Sequence, residues 1–173
     1  LHNVMNCLPA VLSTYFWRNI EIEDIKLALQ TFVPSSAQTP GRLNMFQFKQ
    51  FKFLVDFAHN PAGLELLCDF VSKVDGEPKV GIISGTGDRR DEDIRELGEI
   101  SAQYFDEIII RCDKNLRGRT AEEIINLLKE GIEKVNPHIP VMTIPNEDQA
   151  LDYIYENPKR GALYTIMCDV VAR

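Results

Sequence analysis

Three short stretches gather the side chains that could do chemistry. They are Asp56, His59 and Asn60; Asp88, Arg89 and Arg90; and Asp113, Lys114, Arg117 and Arg119. Each mixes a carboxylate with a histidine or with arginines. Arginine grips phosphate or carboxylate through two parallel N–H···O bonds, so a surface with several arginines suits a ligand bearing either group. In the first stretch Asn60 is a natural N-cap, and Pro61 fits the first helical position, where a missing N–H costs nothing. A helix N-terminus there would offer free N–H groups and positive potential to an anion. The competing reading is structural: Asp56 and Asn60 cap a turn, His59 is solvated, and the other loop charges simply face water. The residue types alone leave both readings open.

The elements that must position these groups follow from periodicity. Residues 53–58 form an apolar, β-prone run broken only by Asp56, and residues 64–71 have helical spacing after the His59-Asn60-Pro61 turn. Residues 43–48 and 51–58 read as a hairpin about Lys49-Gln50. Further strands are predicted at 79–84, 107–111, 141–144 and 161–167. The three consecutive isoleucines of 107–111 suit a parallel strand covered on both faces. Helices are predicted at 94–104, at 120–135 and from Asn146 to about residue 155; Thr120-x-x-Glu123 is a capping box. From Phe51 onward strand and helix alternate, the pattern of a parallel sheet with right-handed crossovers. The expected fold is therefore α/β: a Rossmann-like, six-stranded, mostly parallel sheet with one antiparallel edge strand and helices on both faces. In such a sheet every charged stretch above follows the carboxyl end of a strand, so the three converge on one edge.

Upstream, residues 2–16 and 23–32 read as two helices without a strand, with Pro9 kinking the first or delaying its start. A Pro-, Ser- and Gly-rich stretch, 33–41, follows and marks a boundary. The expected division is residues 1–38, the last helices of a preceding domain packed weakly or left exposed, and residues 39–173, the α/β domain.

Composition narrows the function classes. The chain has 173 residues, 45% hydrophobic and 26% charged, with a net charge of −7. The acidic balance argues against a non-specific nucleic-acid surface. No apolar run is long enough to span a membrane, and the N-terminus lacks the basic region of a signal peptide. Cys7, Cys68, Cys112 and Cys168 are scattered, with no C-x-x-C pair, so reduced thiols in the cytoplasm are expected, and neither a zinc site nor a disulfide frame. Gly85-x-Gly87 hints at a phosphate loop, but it lacks a third glycine at the dinucleotide-binding spacing, and Asp88, Asp91, Glu92 and Asp93 follow it. No G-x-x-x-x-G-K-[ST] sequence is present to cradle ATP phosphates and magnesium. His138 reads as a loop histidine, Trp17 as an anchor for the first helix, and Tyr153 and Tyr155 as half-buried packing. The chain begins with Leu1 rather than Met, so a piece of a longer protein is expected.

The stretch Asp56-Phe-Ala-His-Asn-Pro61 resembles the Asp-Tyr-Ala-His-Asn-Pro signature of the Mur ligase family, at the strand that opens its C-terminal domain. That family joins an amine to a carboxylate at the expense of ATP. It includes the peptidoglycan ligases, folylpolyglutamate synthases and the C-terminal half of cyanophycin synthetase. Three further stretches resemble the cyanophycin branch: Gln38-Thr-Pro-Gly-Arg-Leu-Asn-Met-Phe46, Gly87-Asp-Arg-Arg-Asp-Glu-Asp-Ile94 and Asp113-Lys-Asn-Leu-Arg-Gly-Arg119. Residues 2–6 also fall where central domains of the family carry an His-Asn-x-x-Asn helix start. Peptidoglycan ligases usually read Gly-Asp-Arg-Asp and Asp-Asn-Pro-Arg in the later two loops, whereas this chain has Arg90 and Asn115-Leu-Arg. Phe57 replaces the usual tyrosine, which removes a hydroxyl.

The resemblance implies an α/β C-terminal domain that works with ATP and magnesium, the metal held mainly by a central domain. Arg42, Asp56, His59 and Asn60 would lie at the nucleotide, and Asp88, Arg89, Arg90, Asp113, Arg117 and Arg119 would face the substrate. In the cyanophycin branch the reaction adds arginine to the side-chain carboxylates of an aspartate polymer through an acyl phosphate. The rival expectations are a folylpolyglutamate synthase or peptidoglycan ligase domain, or a non-catalytic nucleotide- or anion-binding module. Self-association is compatible with all of them.

Overall fold

Apolar strands and amphipathic helices form largely where their periodicity predicts. The computed structural model describes residues 2–18, 20–32 and 35–168, with side chains from Cys7 onward. The His-Asn-x-x-Asn side chains of residues 2–6 and residues 33–34 of the predicted boundary lie outside the described residues. The chain divides into two compact units, Leu1–Gln38 and Thr39–Arg173.

The first unit holds α1 (His2–Arg18) and α2 (Ile22–Thr31). Pro9 lies inside α1, which already begins at His2, so the proline does not delay its start. Among the described residues of this unit only Ile25 is buried. Leu8, Leu12, Phe16, Trp17, Leu27 and Phe32 are exposed, as helices without a sheet of their own lead one to expect.

The second unit contains β1 (Asn44–Gln47), β2 (Lys52–Asp56), α3 (Pro61–Ser72), β3 (Lys79–Ile83), α4 (Asp91–Tyr104), β4 (Glu107–Arg111), α5 (Ala121–Val135), β5 (Val141–Ile144), α6 (Glu147–Glu156) and β6 (Leu163–Met167). The six strands run in the order β1-β2-β6-β3-β4-β5. β1 pairs antiparallel with β2 at the edge, and every other pairing is parallel. The mostly parallel sheet with one antiparallel edge strand is the expected fold.

Handedness explains how the helices are shared out. The connections β2 to β3, β3 to β4 and β4 to β5 all step the same way across the sheet, whereas β5 to β6 steps back. Right-handed crossovers then put α3, α4 and α5 on one face and α6 on the other. The side chains agree. Ile108 and Ile110 of β4 join Leu64, Ile94 and Leu128 in one apolar cluster, and Ile109 joins Ala150 and Ile154 in the other. Each fully buried Leu or Ile contributes about 1.5–3 kcal/mol. On the thicker face α4 and α5 touch through glycines: a Cβ at Gly98 would lie 2.2 Å from Leu128 O, and one at Gly131 2.0 Å from Arg95 O.

Two local expectations are corrected. α4 begins at Asp91, three residues before the first residue of the apolar pattern. Asp91, Glu92 and Asp93 thus occupy its first turn, where the helix dipole favours acids, rather than a loop. Tyr155 is 80% exposed, while Tyr153 is half-buried as expected. Among the described residues no helix is long and apolar enough to cross a membrane.

Candidate functional site

The carboxyl end of β2 is built from turn chemistry. Asp56 closes the strand, and its Oδ2 accepts a hydrogen bond from Leu43 N at 2.9 Å. Leu43 sits at φ 49°, a left-handed conformation that costs a branched residue of order 1–3 kcal/mol. Asn44 supports the same turn: Oδ1 accepts from Gly41 N at 2.7 Å, and Nδ2 donates to Thr39 O and Arg42 O, each at 3.1 Å. The turn carries the Arg42 guanidinium over the Phe57 ring, 5.3 Å from its centroid, a cation–π distance. Phe57 and His59 are ring neighbours, with centroids 5.2 Å apart. His59 Nδ1 lies 3.0 Å from Phe57 O. A carbonyl only accepts, so Nδ1 is the donor of this bond, and it fixes the direction of the ring. Asn60 caps α3 as predicted, its side chain accepting from Gly63 N at 2.8 Å, with Pro61 in the first turn. α4, α5 and α6 each carry two or more acids in the first turn, and α3 carries none.

The loops after β3 and β4 are fastened to each other by arginines. Arg119 Nε donates to Gly87 O and Nη2 to Arg89 O, both at 2.9 Å, and Nη2 also lies 2.7 Å from Asp91 Oδ1. Gly87 allows this approach, because a Cβ there would lie 2.0 Å from Leu116 O. Arg90 chelates Asp93 through Nε and Nη2. Arg117, at φ 47°, donates from Nη1 to Asp88 Oδ2 at 2.8 Å. That bond holds the Asp88 carboxyl below its ordinary value, and the bond from Arg90 does the same for Asp93.

Between these two sides lies a cleft of about 130 Å³. After β2 it is lined by Phe57, Ala58 and His59; after β3 by Ser84, Thr86 and Arg89; after β4 by Asp113 and Arg117; and at β6 by Met167 and Cys168. Of the predicted site residues, His59, Arg89, Asp113 and Arg117 thus line one cleft, supplied by three different loops. Asp88 reaches it only through its pair with Arg117. Arg90 and Arg119 are absent from its lining, and their guanidinium groups are engaged within the protein. Burial pushes the Cys168 thiol up to about 11, with help from Glu147 and Asp56, so it stays protonated at neutral pH. Among the described residues no group of three or more His, Cys, Asp and Glu could hold a metal ion. The magnesium that the resemblance implies, held mainly by a central domain, has no such group of ligands among the described residues.

One residue of this edge escaped the sequence reading. Arg111 ends β4 fully buried, paired with Asp113 and Glu147 and donating to Met167 O. Its Nε is buried without a hydrogen-bond partner. The available signal was an arginine closing a run of three isoleucines.

A mostly parallel sheet whose carboxyl edge gathers arginines, a histidine and an acid-free helix N-terminus places the chain among Rossmann-like α/β domains. More narrowly, the chain belongs to the Mur ligase family: the family model described as Mur ligase, glutamate ligase domain, matches residues 41–168. The chain is similar to a cyanophycin synthetase of Crocosphaera subtropica, 39% identical over 98% of this chain and 19% of that protein. It is also similar to a UDP-N-acetylmuramoyl-L-alanyl-D-glutamate–2,6-diaminopimelate ligase of Aquifex aeolicus, 28% identical over 92% of this chain and 31% of that protein. In fold it is similar to a Mycobacterium tuberculosis folylpolyglutamate synthase complexed with ADP and AMPPCP, with a TM-score of 0.66 at 19% identity, covering 95% of this chain and 37% of the other. The chain spans about a fifth of the length of the cyanophycin synthetase it matches.

Proposed function

We propose that this chain is the C-terminal domain of an ATP-dependent acid–amino-acid ligase of the cyanophycin synthetase type, acting in the cytoplasm as part of a longer enzyme. In this reading residues 1–38 are the last helices of the central ATPase domain, which supplies the phosphate loop and magnesium. ATP phosphorylates an aspartate side-chain carboxylate of a polymer, the amine of arginine attacks the acyl phosphate, and phosphate leaves as the amide forms. The chain by itself is inactive.

One observation carries the reading. His59, Arg89, Asp113 and Arg117, each from a stretch that resembles a family motif, line a single cleft at the carboxyl edge of the sheet. The cationic side of that cleft suits the charge that develops on a transferring phosphoryl group or a tetrahedral oxyanion. Its acid, Asp113, suits the cationic end of an amino acid. Arg42 over Phe57, His59 and the N-terminus of α3 suit the nucleotide, with Asp56 and Asn60 holding the turn that presents them. Identity favours the cyanophycin branch, at 39% against 28% for the diaminopimelate ligase.

The test is ADP release by the full-length protein supplied with an aspartate polymer and L-arginine. Arginine-dependent release, with growth of the polymer mass, is the expected result. Release driven by glutamate or diaminopimelate instead would move the assignment to another branch, and no nucleotide turnover with any of them would leave a binding module.

A further inference from the structure

A buried cation needs acceptors that stay in place, because its charge has lost its water. Arg111 has a fully buried side chain, and it finds those acceptors on three elements. Nη1 donates to Asp113 Oδ1 at 2.5 Å in the loop after β4. Nη2 donates to Met167 O at the end of β6 and lies 3.1 Å from Glu147 Oε2 in the first turn of α6. β3 separates β4 from β6 in the sheet, so the side chain spans the carboxyl end of a whole strand. Two of its three acceptors, Asp113 and Met167, belong to residues that line the cleft. A planar guanidinium fixes the direction of each bond it makes, which a point charge such as an ammonium does not.

We propose that Arg111 is a positioning residue: from beneath the cleft it fixes the Asp113 carboxylate and the end of β6, and so sets the acidic wall against which the amino-acid substrate binds. The substrate half of this inference rests on the ligase reading; the hold on Asp113 does not. Arg111 touches neither substrate nor nucleotide and acts through Asp113 and the end of β6. Glu147 completes the arrangement by giving the cation a second carboxylate, so Asp113 need not move to balance the charge.

The full-length protein with Arg111→Lys tests both halves, with Arg111→Gln as the alternative where the lysine variant does not fold. Carboxyl groups are labelled with a carbodiimide and glycine ethyl ester and read by mass spectrometry. Asp113 should label severalfold faster in the variant, while Asp88 and Asp93, which Arg111 does not contact, keep their rates. In steady-state kinetics KM for the amino acid should rise about tenfold, with KM for ATP nearly unchanged. A purely structural Arg111 would lower the melting temperature and leave the labelling pattern and both KM values of the folded protein as they were; that result overturns the proposal. Faster labelling with an unchanged amino-acid KM also overturns it. A wild-type enzyme that turns over no amino acid removes the ligase reading, and the labelling of Asp113 then decides the positioning role alone.

Discussion

On the β2 side of the cleft, polar side chains hold backbone: Asp56 takes Leu43 N across the β1–β2 hairpin, and Asn44 takes Gly41 N and Asn60 takes Gly63 N within their own turns. On the β3–β4 side, arginines hold one loop to another, as Arg119 does with Gly87 O and Arg89 O. The first side is a set of single bonds to backbone, two of them short-range caps, each separable from the rest. The second is a joint between two loops far apart in sequence, and it fails as a unit. The difference shows that a loop rich in arginine is not thereby rich in ligand-facing arginine. Arg89 and Arg117 line the cleft, while Arg90 and Arg119 serve the loops themselves.

The sharpest way to break the joint is at Gly87. A methyl group there meets the Leu116 carbonyl, and backbone cannot yield as a flexible side chain does. Gly87→Ala should cost about 2–3 kcal/mol in urea unfolding, within the range for overpacked sites; a loss near zero would show that the loops part freely. Next comes a contrast within the joint. Arg119→Ala removes two charge-assisted bonds to carbonyls and should cost about 1.5–2 kcal/mol. Arg117→Ala breaks a half-exposed pair with Asp88, which solvent and salt screen, and should cost far less than Arg119→Ala. Equal losses in the two variants would erase the division between structural and cleft-facing arginines.

On the β2 side the expected effect is smaller than at Gly87 or Arg119, and local. Asn60→Ala removes one cap and should cost about 1 kcal/mol, with Asn60→Ser recovering most of it. A loss as large as that of Gly87→Ala would mean the caps are not separable. The smallest effect is in acid. Hydrogen bonds from Arg117, Arg90 and Thr120 hold the Asp88, Asp93 and Glu123 carboxyls below their ordinary values. The unfolded chain then binds protons that the folded one does not, so stability falls as pH drops from the ordinary carboxylate range through the lowered values. Asp88 and Glu123 are exposed and Asp93 is half-buried, so added salt should shrink this acid slope, and Arg90→Ala and Arg117→Ala should flatten it.

Much of this was legible in the sequence because it is local. The Asn60 cap and the Thr120–Glu123 capping box depend on residues a few positions apart, and both form. The triple isoleucine of β4 reports burial on both faces, and alternation reports the parallel sheet. The strand order was not legible, since no short-range signal tells β6 to pair between β2 and β3. Nor were the partners of Arg111, which lie up to 56 residues away at Met167. The start of α4 was missed for a different reason: its first turn is acidic, so an apolar periodicity cannot mark it.

The placement of β6 also bears on how the domain is made. Leu54 and Ile82 do not pair with each other; both pair with strand β6, at Thr165 and Ile166. During synthesis β2, β3, β4 and their helices leave the ribosome with the middle of the sheet still open. Two inner strand edges stay bare until residues 163–167 emerge, a hazard for aggregation and a source of slow, non-local closure. Until then the nascent domain holds two separate fragments of sheet, which the final strand joins.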